Sequence, residues 1–218
     1  MENKGKTILS QLANGVIAGM MIGIGGCVSL SCDNKYIGSM LFALGLFAIV
    51  QFGFGLFTGK VGYVPLRKPA YLLECLWTVI GNAIGTLIDA ALLRLTRISP
   101  AITEKAMGSV DTKLADSPLS AFILAVFCGM LMFLAVDNAR ISREEGGHIE
   151  KTVGVIFPVM VFILCGFNHC IADMFYLFLT GGITRAGVYL PVVILGNSLG
   201  GMLIPLLKKL TDKPFPKQ

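Results

Sequence analysis

Charge is scarce in this 218-residue chain: Asp, Glu, Lys and Arg together make up 14% of it, against about 25% in soluble domains. That shortage excludes a soluble enzyme, a nucleic-acid binder and a disordered regulator, each of which needs a solvated, charged surface. Histidine occurs only twice, as His148 and His169, and tryptophan once. The six cysteines (Cys27, Cys32, Cys75, Cys128, Cys165 and Cys170) form no Cys-x-x-Cys pair and lie mostly in apolar segments. They read as small buried hydrophobes, not as a disulfide framework. Cys165 and Cys170 flank His169, but no further ligands stand at the usual spacing, so neither a metal nor another cofactor is expected.

What is abundant is apolar sequence. Hydrophobic residues reach 55% and mean hydropathy is +0.76. A membrane span takes roughly 20 apolar residues, and six such stretches leave only short loops and tails. The predicted spans are Ile8–Leu30, Ile37 to about Phe54, Tyr71–Leu93, Leu119–Val136, Val153–Thr180 and Gly187–Leu207. The chain therefore reads as a single all-α integral membrane domain over residues 1–218. The polar stretches Arg94–Pro118 and Asp137–Lys151 read as loops, the former the longest.

Six spans put both termini on one face. That face collects Lys4, Lys6, Arg67, Lys68, Arg140, Arg143, Lys151, Lys208, Lys209, Lys213 and Lys217. The other has Lys35, Arg94, Arg97, Lys105, Lys113 and Arg185. The basic excess predicts that both termini are cytoplasmic, in the inner membrane of a cell. The formal charge of +5, lying outside the apolar blocks, suits topology and anion attraction and gives no reason to expect nucleic acid as a partner.

Two spans are interrupted. The second ends in Gly53-Phe54-Gly55-Leu56-Phe57-Thr58-Gly59-Lys60, and the fifth contains Gly166-Phe167-Asn168-His169 followed by Asp173. In addition Gly81-Asn82-Ala83-Ile84-Gly85 in the third span is echoed by Gly196-Asn197-Ser198-Leu199-Gly200 in the sixth. The chain thus divides into half-repeats of approximately 7–95 and 116–210. Three spans per half is odd, so the halves enter from opposite sides: an inverted 3+3 repeat with its second and fifth helices broken. Paired interrupted segments in inverted halves mark a transport site. Free backbone groups cannot face lipid, so the breaks must be buried in protein or line a cavity.

His169 is the leading candidate on such a path, because ionisable groups at membrane depth are costly and histidine can pass a proton. Thr58 offers a hydroxyl to an anion or to the imidazole. Asp173 is expected to accept from the start of the resumed helix, and Glu74 and Asp137 to be solvated or paired near span ends. Asp89 is deeper and finds no explanation in the sequence.

Phe57-Thr58-Gly59, the string from Gly166 to Met174 and the two Gly-Asn-x-x-Gly echoes resemble the formate/nitrite transporter family, in order along nearly the whole chain. The resemblance implies a homopentamer in membrane lipid, with an aquaporin-like six-helix fold and a pore in each protomer. It places Thr58 and His169 on the two breaks, next to Asn168. It further implies a cytoplasmic constriction of Leu46, Leu56 and Phe57 and a periplasmic one of Phe42 and Phe162. Lys113 matches a lysine that draws anions into the outer vestibule, and Lys6 a cytoplasmic counterpart. Two departures stand out: Asn168 replaces the usual Glu and Asp173 the usual Asn, which moves a carboxylate. Short loops after Lys60 and Thr180 suggest a trimmed second half-helix and a wider outer mouth.

A bare anion between apolar rings meets a solvation penalty of up to tens of kcal/mol in the dry limit. The expected function is therefore passage of a small monovalent anion with a proton, as its weak acid, the proton coming from His169 or water. Formate is the leading cargo, with nitrite, hydrosulfide and lactate in the same class. A neutral-solute channel of aquaporin type is the alternative, though neither break carries Asn-Pro-Ala. No nucleophile–base set is present, so no enzyme is expected.

Overall fold

The computed structural model describes residues 2–145 and 148–211, with side chains from residue 8 onward except those of 143–147. Among the described residues the chain is helical throughout, with no strand. Its α-helices are α1 (Glu2–Ser31), α2 (Lys35–Phe52), α3 (Phe57–Lys60), α4 (Tyr71–Arg94), α5 (Ser99–Leu114), α6 (Pro118–Glu145), α7 (His148–Leu164), α8 (Cys170–Thr180) and α9 (Tyr189–Lys208). Short 3-10 segments, Val61–Leu66 and Gly182–Arg185, follow α3 and α8.

Five stretches are long and apolar enough to cross a membrane: Ile8–Ser31, Lys35–Phe52, Tyr71–Arg94, Pro118–Ser142 and Tyr189–Lys208. The predicted fifth span instead forms two pieces, α7 of 17 residues and α8 of 11. The contacts of the first half are mirrored in the second: α1 packs on α4 and α2, and α6 on α9 and α7. Across the middle, α2 meets α7 and α4 meets α8, while α9 meets the 3-10 segment after α3.

Small residues set the close pairs. A Cβ on Gly85 of α4 would lie 2.1 Å from the Val16 carbonyl oxygen of α1, and one on Gly200 of α9 would lie 2.0 Å from that of Val126 of α6. These are the final glycines of the two Gly-Asn-x-x-Gly echoes. In lipid, where apolar burial gives little drive, such backbone approach is what lets helices pack tightly.

α2 ends on Gly53 at φ +75° and the chain past α7 turns at Gly166, φ +70°. Both are left-handed conformations that side chains disfavour, so the two breaks start from equivalent glycine turns. Each then runs extended into a new helix, with Leu56 and His169 in the β region at the N-caps of α3 and α8.

The stretch read as the longest loop holds a sixteen-residue helix, α5. Pro100 opens it, and Ile102, Ala106 and Val110 recur at four-residue spacing on its buried face. Ile102 and Ala106 pack with Phe175 and Leu179 of α8 and Ala90 of α4. Three buried apolar residues in sixteen make a thin stripe, easily lost among the charges. Lys105 ties α5 to Asp33 in the α1–α2 link at 2.9 Å and holds that carboxyl below its ordinary pKa by hydrogen bond and charge. Likewise α6 runs on through the polar stretch to Glu145, beyond the predicted span end.

Candidate functional site

Two asparagines hold the breaks. Asn82 of α4 accepts from the Phe57 N–H (2.9 Å) and donates to the Gly55 and Gly15 carbonyls, both at 2.8 Å. Asn197 of α9 repeats the pattern: it accepts from the Cys170 N–H (2.9 Å) and donates to the Asn168 and Ala125 carbonyls at 2.8 Å. Both side chains are fully buried. Each carboxamide meets one donor and one acceptor that a broken helix leaves without partners, and bonds in addition to a carbonyl of a neighbouring intact helix, Gly15 of α1 or Ala125 of α6. These residues were visible in the sequence only as an echo. Their function as staples was the missed signal: a buried Asn one helix away from each exposed stretch of backbone.

The clamped breaks bring together the two residues singled out at the start. The Thr58 hydroxyl and His169 Nε2 are 2.9 Å apart, and both groups are buried. His169 Nδ1 accepts the Ala172 N–H at 3.1 Å and so caps α8. An acceptor nitrogen carries no proton, so the hydrogen-bond network assigns the proton of a neutral ring to Nε2, which donates to Thr58 Oγ1. The Thr58 hydroxyl hydrogen is then free to point at a third group.

Around this pair the predicted apolar residues gather. Phe162 stacks on the His169 ring at 5.5 Å between centroids and meets Phe42 edge-on at 5.8 Å. Leu46, Leu56 and Phe57 are buried in the same core as Phe42 and Phe162. A cavity of about 100 Å³ touches His169, Phe162, Lys113 and Asp173 on one side. A second, of about 480 Å³, opens onto Leu56 and Gly59 on the other.

Asp173 does not accept from the start of α8; His169 takes that position. Its carboxylate instead pairs with Lys113 of α5 at 3.0 Å and accepts from the Tyr189 hydroxyl at 2.8 Å. Lys113 also donates to Asn168 Oδ1 at 2.7 Å. The Asp173 carboxylate thus has a lysine partner, and the Lys113 charge is balanced at contact range. Glu74 and Asp137 are paired, with Lys60 (3.5 Å) and Arg140 (2.9 Å). Asp89 is buried against Gly23, and its Oδ2 has no partner among the described residues. The Lys6 side chain lies outside the described residues.

A family model described as formate/nitrite transporter matches residues 1–209. The chain belongs to the formate/nitrite transporter family. Relatives within the family include an uncharacterized transporter, YrhG, of Bacillus subtilis, 32% identical over 77% of this chain and 68% of that protein. A probable formate transporter of Methanothermobacter thermautotrophicus is 30% identical over 78% of this chain and 72% of its own. The formate channel FocA of Haemophilus influenzae is 27% identical over 65% of this chain and 52% of its own. Among solved structures, a pentameric formate channel with formate bound superposes with TM-score 0.77 at 25% identity, covering 94% of this chain and 97% of that one. Membership in this transporter family, with several membrane-length apolar helices, makes the protein a multi-pass membrane transporter.

Proposed function

We propose that the protein carries small monovalent anions, formate foremost, across the inner membrane as their neutral acids, through a path in each protomer of a homopentamer. The chain would cross six times as an inverted repeat of approximately 7–95 and 116–210, with both termini cytoplasmic and the α2–α3 and α7–α8 breaks meeting at mid-membrane. The observation that carries this reading is the Thr58–His169 hydrogen bond. It joins two breaks that each have their own asparagine staple, inside a shell of Phe42, Leu46, Leu56, Phe57 and Phe162.

Physical chemistry then orders the steps. The 100 Å³ cavity beside Lys113 and His169 receives the anion. The Thr58 hydroxyl, turned outward because His169 already donates to its oxygen, hydrogen-bonds to it. Desolvation between apolar side chains raises the cost of the charge, so the anion takes a proton delivered through water. The ring stays neutral: its one proton holds Thr58, and its other nitrogen caps α8. The neutral acid passes the rings and ionises again on the far side.

Fusing the purified protein into liposomes and following light scattering after formate or glycerol gradients tests this. Formate flux well above that of empty liposomes, with no added glycerol flux, is the expected outcome. The reverse favours a neutral-solute channel and ends the proposal. Running nitrite, hydrosulfide and lactate beside formate ranks the cargo.

A further inference from the structure

The 480 Å³ cavity below Leu56 is far larger than formate needs. Its walls are Ile49, Val50, Phe54 and Leu56 with the rings of Tyr63 and Tyr71, and its cations are Lys60, Arg67 and Arg140. A cavity of about 150 Å³ already accepts a benzene ring, and small-molecule sites span about 300–1,000 Å³ with apolar walls and a few polar groups. The three cations differ. Arg140 is paired with Asp137, which also accepts from the Tyr63 hydroxyl. Lys60 has three donors and one described side-chain partner, Glu74, at 3.5 Å, the outer limit of a hydrogen bond. It sits 5.5 Å from the centre of the Tyr71 ring, with the exposed Arg67 guanidinium 6.0 Å from the same ring. The chamber therefore combines an aliphatic and aromatic wall with an under-satisfied ammonium and a second cation at its edge.

We propose that this cavity binds organic monoanions with a bulky apolar body, aromatic carboxylates and sulfonates, and that an occupied cavity closes the Leu56 end of the path. The anionic head lies on Lys60 and Arg67, where Glu74 competes with it, and the body covers Ile49, Phe54 and Leu56. Formate, with no apolar body, leaves that wall wet and moves on. Binding goes beyond the transport reading; only the closure rests on it.

Benzenesulfonate is the probe, since it stays ionised at neutral pH and cannot cross as a neutral acid. Calorimetric titration of the detergent-purified full chain is expected to show saturable binding. Lys60→Met weakens it about tenfold, Lys60→Arg retains it, and Glu74→Gln tightens it. Neutral benzenesulfonamide, titrated into the unmutated protein, is expected not to bind. Equal binding to the parent and Lys60→Met, or sulfonamide binding as tight as sulfonate, overturns the site. In liposomes with probe on both faces, formate flux is expected to fall with occupancy. Binding without such a fall overturns the closure. Lys60-dependent binding in a protein that moves no formate leaves the site standing and removes the transport reading instead.

Discussion

Replacing Asn197 by Ala removes a carboxamide that makes three buried hydrogen bonds, to the Cys170 N–H and to the Asn168 and Ala125 carbonyls. Hydrogen bonds between membrane helices contribute about 0.6 kcal/mol on average and up to about 1.7, because the unfolded chain in the membrane also finds partners. Three of them place the loss at about 2–5 kcal/mol, within the range for leaving buried backbone groups without partners. The loss concentrates on the start of α8, one residue from His169, so transport should suffer along with stability. For a chain of this size the fall in Tm is roughly 4–20 °C. Thermal unfolding of the detergent-purified protein, with formate flux in liposomes, reads both. Asn82→Ala is expected to act alike on α3. Ser198→Ala, next in sequence and bonded only within its own helix to the Ile194 carbonyl, is the control and should stay within about 0.5 kcal/mol. Asn197→Ala with the melting point and flux of the parent would refute the staple.

Other expectations follow from single contacts. Thr58→Val removes the hydroxyl offered to the anion and should abolish formate flux, while Thr58→Ser preserves it. Asp173→Asn strands Lys113, whose side chain is only 16% exposed, and should cost up to about 3–5 kcal/mol in denaturation. Adding Asn168→Asp, which puts a carboxylate 2.7 Å from the same ammonium, should recover much of that loss. Gly200→Ala drives a methyl to 2.0 Å from a backbone oxygen and should lower Tm sharply, whereas Gly108→Ala, which meets nothing within 4 Å, should not.

The five membrane-length helices and the glycine turns at Gly53 and Gly166 were legible because lipid imposes one strong rule: long apolar runs are helices, and glycine clusters inside them need burial. Thr58 and His169 stood out for the same reason, as polar groups where solvation is absent. The partners of Asp173 were not legible. Helix-capping chemistry pointed to its own backbone, yet the nearest cation is Lys113, on a helix hidden in a polar stretch with a three-residue apolar stripe. The staples were half legible, since the asparagine echo is plain but its geometry requires knowing that α4 faces α3 and α9 faces α8.

The central claim is that cargo crosses without its charge while His169 keeps Thr58 in place. Formate flux measured from pH 5 to 8, for the parent and for His169→Asn, tests it most directly. Asn keeps an acceptor at the Nδ1 position for the Ala172 N–H and does not titrate, while its shorter side chain gives up the donor to Thr58. The neutral acid grows about tenfold for each unit of pH lost, so both proteins should move formate faster as pH falls, with the same slope. A flat profile in the parent would contradict the account, and a slope lost in His169→Asn would make the imidazole itself the proton carrier.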